Sequence, residues 1–134
     1  MTTHQAQAEE LLSAMNLLLD DVSAYKSAVA LLAVHSAIAF NDAVLERLTG
    51  SVYKGADHSE AAKKSRVACG KNKIGGKKID VSGIQHLEHL VKKKTLYSYS
   101  GMVDARKAQD AADKAEKFAS WAYTNVLKRE SSNG

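Results

Sequence analysis

The sequence predicts an all-α protein, an up-and-down helical bundle of four long helices with a short helix in the crossover after the second. Three observations carry that expectation. Apolar residues recur at a helical period through most of the chain. Proline is absent, and the glycines gather at Gly50 and Gly55, Gly70, Gly75 and Gly76, Gly83 and Gly101, where the helical patterns stop. The stretch from Ser23 to Thr49 carries two apolar lines, one through Val29, Leu32, Phe40 and Ala43 and one through Leu31, Val34, Ile38 and Leu45. A helix apolar on two sides needs neighbours on two sides, so this stretch reads as the central rod of a bundle, with no strand expected in the chain.

From Gln5 to Val22 a stripe of Ala8, Leu11, Leu12, Met15, Leu18 and Leu19 predicts an amphipathic first helix. Asp20, Asp21 and Ser23 are the expected caps of the central helix that follows. Asp57 or Ser59 opens a short helix through Ala61, Ala62, Val67 and Ala68. The segment 63–79 is expected to be a basic loop. Asp80 and Ser82 offer caps for a third long helix, VSGIQHLEHLVKKK, whose lysines at the C-terminal end complement the helix dipole. Thr95 to Gly101, TLYSYSG, reads as a turn. A last helix runs from about Val103 to Lys128 on a stripe of alanines with Phe118, and the tail 129–134 is expected to fray.

At 134 residues the chain is read as one domain with room for a true core. Hydrophobic residues make up 45% and charged residues 25%, the balance of a soluble globular protein rather than a disordered one. The longest apolar run, Ala28 to Phe40, is interrupted by His35 and Ser36, so no membrane span is expected. The start MTTHQAQAEE lacks the pattern of a secretory signal, and the single Cys69 has no partner for a disulfide or a sulfur metal site. Both point to the cytoplasm.

The formal charge of +4 is unevenly placed. Lys63, Lys64, Arg66, Lys71, Lys73, Lys77 and Lys78 contribute seven positive charges with no acid among them, and without them the chain would carry −3. Such a segment is either a solvated loop or a patch that contacts phosphates by counterion release. It contains no aromatic residue for base stacking, so binding there would be poor in sequence preference. Basic neighbours would lower the pKa of Cys69. GKNKIGGKK does not match the spacing of a phosphate-binding loop.

His86 and His89, three residues apart, have a spacing compatible with two metal ligands, with His58 or His35 as a third; the alternative is a pair of partly exposed helix residues. His35, inside an apolar run, is expected in the core with a hydrogen-bonded neighbour. No Ser/His/Asp or paired-carboxylate arrangement can be assembled, and no catalytic residue, cofactor or metal is assigned.

Taken together, an acidic-flanked first helix, Ala24-Tyr25-Lys26-Ser27-Ala28 opening an alanine-rich helix, Asp57-His58-Ser59, a helix with a lysine-rich end, a tyrosine turn and a final helix through Ala115-Glu116-Lys117-Phe118-Ala119-Ser120-Trp121 resemble the HEPN domains (higher eukaryotes and prokaryotes nucleotide-binding). The likeness covers roughly Ala8 to Leu127. It implies an up-and-down bundle, frequently a homodimer, often encoded beside a minimal nucleotidyltransferase or acting in toxin–antitoxin or RNA-directed defence systems. Ribonucleases of that family carry an Arg-x4-6-His motif near the start of the last long helix. Here none of Arg47, Arg66, Arg106 or Arg129 is followed at that distance by histidine, and Lys94 and Tyr99 stand at the motif position. Lysine lacks the bidentate fork of arginine, and tyrosine is a poor base at neutral pH. The expectation is therefore a non-catalytic module that binds nucleotide or RNA phosphates, or a nucleotidyltransferase-type partner, through the basic segment with Lys94 and Tyr99. The alternatives are a weak ribonuclease or nucleotide-modifying enzyme built on Lys94, Tyr99 and a histidine such as His58, and a metal-binding bundle using His86 and His89.

Overall fold

A computed structural model describes residues 3–99 and 103–127. Among these the regular secondary structure is helical apart from one two-stranded hairpin. The helices are α1 (Thr3–Leu19), α2 (Lys26–Thr49), α3 (His58–Lys71), α4 (Ile84–Lys92), α5 (Lys94–Tyr99) and α6 (Ala105–Asn125), with strands β1 (Lys73–Ile74) and β2 (Lys77–Lys78) between α3 and α4.

Helix α2 is the organising element, as its two apolar lines require. It touches each of the other five helices. Val29, Ala30, Ala33, Val34, Ala37, Phe40, Ala43 and Val44 are all fully buried. Small side chains at so many of these positions let neighbouring backbones come close. By length and composition α2 would also suffice to cross a membrane, which the interruption at His35 and Ser36 was expected to prevent. Its 18-residue apolar window is 67% buried within the protein, as a core helix is.

The start of α2 differs from expectation. Its N-cap is Tyr25 without a side-chain hydrogen bond. Backbone bonds replace a side-chain cap: Ala24 and Tyr25 both donate to the Asp21 carbonyl, at 3.1 and 3.2 Å. The helix stops at Gly50, where a left-handed φ of 83° lets the Gly50 amide donate back to Glu46. Helix α3 starts where Asp57 predicts, its carboxylate accepting from the amides of Ser59 and Glu60 at 3.0 and 3.2 Å.

The basic segment 63–79 is not a loop. Its first nine residues complete α3, and Asn72 closes that helix by donating its side-chain amide to the Ala68 carbonyl at 2.8 Å. The hairpin follows, with Lys73 opposite Lys78 and Ile74 opposite Lys77. Gly75 and Gly76, at φ of 59° and 78°, supply the two left-handed residues that the tightest hairpin turn demands. This small sheet corrects the expectation of a strand-free chain.

The third long helix is likewise divided. Asp80 forms a local turn with Ser82 rather than capping a helix, and α4 begins after Gly83. It ends at Lys92 with Lys93 as its cap, after which α5 occupies most of the segment expected to be a turn. Helix α6 is capped by Asp104, which accepts from the Lys107 amide at 2.7 Å. Phe118 and Trp121 of α6 stack at 5.4 Å, and the Trp121 indole donates to the Asp80 carbonyl at 2.7 Å. The tail 129–134 lies outside the described residues.

Candidate functional site

One face of α3 is apolar and locked to α2. Ala61, Ala62, Ser65 and Cys69 are buried. Ser65 donates to the side-chain oxygen of the buried Asn41, whose amide donates to the Ala61 carbonyl at 3.3 Å. Buried polar groups need such partners, and this set fixes the rotation of α3 about its own axis. The rotation decides which lysines point where.

Lys64, Val67 and Lys71 recur every three or four residues and, with the neighbouring Lys63, turn away from that lock. With the C-terminal end of α2 and the connecting segment 50–57 they enclose a groove of about 680 Å³. Four lysines line it, Lys54, Lys63, Lys64 and Lys71, against a single carboxylate, Glu60. Its apolar part is Val67, 54% exposed, together with Leu45, Val52 and the ring of Tyr53. The ammonium of Lys64 sits over the Tyr53 ring, 5.8 Å from its centre. A groove with cations at its walls and an aromatic ring in its lining suits a ligand that joins anionic groups to a flat or apolar body.

The other basic residues are distributed differently. Arg66 faces α4, where its guanidinium grips the Glu88 carboxylate at 2.9 and 2.5 Å. That bond raises the Arg66 pKa and lowers that of Glu88. Lys73, Lys77 and Lys78 are exposed on the hairpin, with Lys73 and Lys78 directly opposed. Like charges so placed repel, and a bound anion would relieve the repulsion. Cys69 is buried, and desolvation pushes its thiol up to about 11 in spite of Arg66. That corrects the expectation of a lowered pKa.

Lys94 opens α5, and its charge reaches a second group of side chains. His35 is exposed and not a core residue. Partial desolvation, then the charges of Lys94 and His58, hold its pKa below the usual histidine value. Two turns along α2, desolvation raises the half-buried Asp42 carboxyl, with His4 and His58 opposing and Glu46 reinforcing. His4 lies 4.0 Å from Glu46. Tyr99 ends α5, and its side chain is outside the described residues.

His86 and His89 share α4, His89 lying 3.7 Å from Asp110. Desolvation, then nearby lysines, lowers the pKa of both. Among the described residues no three His, Cys, Asp or Glu side chains converge to hold a metal ion.

Tyr53 and Lys54 are not singled out by sequence, and Val67 is read there only as an apolar residue of the short helix. Tyr53 and Lys54 fall in a stretch without periodicity, so only the fold brings them to the basic residues. Asp42 and Glu46, seven and eleven residues after His35, share its face of α2, a stripe that the reading of His35 as a core residue hides.

No protein-family model matches the chain, and neither the curated proteins nor the solved structures searched return a match.

Proposed function

We propose that this chain is a HEPN-like bundle, with α1, α2, α4 continued by α5, and α6 in up-and-down order and α3 as the crossover. It binds the phosphates of a nucleotide or RNA without cleaving them, or docks a nucleotidyltransferase-type partner through the same surface. It acts in the cytoplasm as a homodimer, within a toxin–antitoxin or defence system. The observation that carries the binding role is the convergence of Lys63, Lys64 and Lys71 on one groove beside the Tyr53 ring. The aromatic ring missing from the basic segment is supplied from outside it, so a base can stack where phosphates are held. Lys73, Lys77 and Lys78 on the hairpin, with Lys94 and Tyr99, extend the contact, while Arg66 braces α3 against α4.

Affinity for single-stranded RNA measured across salt tests this. Each phosphate contact contributes about 0.7 to the slope of log affinity against log salt, so the triple change of Lys63, Lys64 and Lys71 to Gln flattens it by about 2. A flat salt dependence in the unaltered protein removes the phosphate role.

A weak ribonuclease or nucleotide-modifying activity is a second reading, supported by the lowered pKa of His35, on which desolvation and then the charges of Lys94 and His58 act. Metal-free RNA cleavage needs a base for the 2′-hydroxyl, an acid for the departing oxygen and a cation for the charged intermediate. A histidine with a lowered pKa, a second histidine and a lysine supply those three, with Tyr99 nearby in sequence. Equal background cleavage by the unaltered protein, Lys94→Ala and His35→Ala ends this reading. The metal-binding alternative retains only the paired spacing of His86 and His89, and stoichiometric zinc or iron in purified protein is its test.

A further inference from the structure

The cleft between α1 and α6 has a carboxylate toward each end, Glu9 and Glu116. It encloses about 390 Å³. The two helices pair here in antiparallel register, Glu9 opposite Tyr123 and Asn16 opposite Glu116. Each of these positions is seven residues from its neighbour on the same helix, so the two carboxylates stand at diagonal corners, about 10 Å apart along the helix axes. Neutral donors orient both. The Tyr123 hydroxyl donates to Glu9, and the Asn16 amide donates to Glu116 at 2.8 Å.

Such donors hold a carboxylate in place without cancelling its charge. Among the described residues neither Glu9 nor Glu116 has an ion-pair partner. Between the two ends the half-buried Leu12 offers apolar surface above the buried Phe40 and Ala119, and Ser13 and Ser120 bring hydroxyls to the rim. Negative ends with an oily middle complement a methylene chain carrying terminal ammonium groups. A metal ion would need the two carboxylates together, and a lysine from another protein offers one ammonium and leaves the second carboxylate unmatched.

We propose that this cleft binds an α,ω-diamine or short linear polyamine, with one ammonium at Glu9, the other at Glu116 and the methylenes over Leu12. This site is independent of the basic groove and of whatever that groove holds.

Titration of the full chain at low salt with propane-, butane-, hexane- and octane-diamine, followed by amide shifts of Ser13, Ser120 and Tyr123, tests it. The expected result is an affinity that peaks at an intermediate chain length and exceeds that of the monoamine of equal length. Exposed ion pairs are weak, so Glu9→Gln and Glu116→Gln are each expected to lower diamine affinity by about three- to fivefold. Glutamine keeps the acceptor for Tyr123 or Asn16, and an unchanged melting temperature separates lost charge from lost fold. Equal binding of monoamine and diamine, indifference to chain length, or full affinity in both variants overturns the proposal.

Discussion

Two glycine-to-alanine changes are expected to have opposite signs. At Gly83 an added Cβ would lie 2.1 Å from Cγ of Trp121 and 2.4 Å from its Cβ. Ordinary contact begins at 3.4 Å, so α4 and α6 must separate by more than 1 Å or the indole must swing. The indole is tied to the Asp80 carbonyl at 2.7 Å and stacked on Phe118. Overpacking costs about 1–3 kcal/mol and loss of the indole hydrogen bond about 1 kcal/mol. The backbone at Gly83, φ −70° and ψ −17°, suits alanine, which returns about 0.4–1 kcal/mol through the unfolded chain. The net loss is about 1–3.5 kcal/mol, a fall of roughly 4–14 °C in melting temperature for a chain of this length. At Gly70, helical in α3 with no atom within 4 Å of an added Cβ, alanine is expected to stabilise by about 0.5 kcal/mol. Thermal melts by circular dichroism read both. A Gly83→Ala protein that melts at or above the unaltered temperature refutes the packing of α4 on Trp121.

Three further outcomes are expected. Ser65→Ala leaves the buried Asn41 oxygen without its donor and costs about 1–3 kcal/mol, read by urea unfolding; a loss below 0.5 kcal/mol argues against the lock. Cys69, with its thiol raised to about 11, stays unreactive to a thiol reagent at pH 8 in the folded protein and reacts on unfolding; rapid labelling of the native state contradicts its burial. His35, His86 and His89 all have folded pKa values below the unfolded 6.5, so the unfolded chain takes up protons first as pH falls. Stability is full above pH 6.5 and is lost as pH drops from there through the lowered values. Melts between pH 7.5 and 5 detect this, and His35→Gln reduces the slope.

The long elements were legible because their signals are local. The two apolar lines of α2, the alanine stripe of α6 and the Asp57 cap each depend on a few neighbouring residues, and each stands in the structure. What sequence missed depended on competition between signals. Gly75-Gly76 reads as a helix stop, although Gly-Gly between short runs is also a hairpin turn, and the lysines of those strands mask their pairing. His35 is expected in the core because apolar residues surround it in sequence, but its position on α2 leaves it exposed and within reach of the charges of Lys94 and His58. The groove could not be assembled in advance, because Tyr53 and Lys54 sit in an aperiodic segment.

Charge and fold meet in α3. A helix carrying Lys63, Lys64, Arg66 and Lys71 would present positive charge in several directions if free to rotate. Two contacts prevent that. Ser65 enters a neutral lock with Asn41, and Arg66 grips Glu88 of α4, which directs one charge away from the groove. The lock is buried and the ion pair is about one-third exposed, so the lock carries more of the energy that sets the rotation. Ser65→Ala is therefore expected to weaken RNA binding as well as stability, although Ser65 lies outside the groove. Arg66→Gln is expected to change RNA affinity by less than any one of the groove lysines. If instead Arg66→Gln flattens the salt dependence as much as Lys64→Gln does, Arg66 reaches the ligand directly and the division of α3 into a bracing face and a binding face fails.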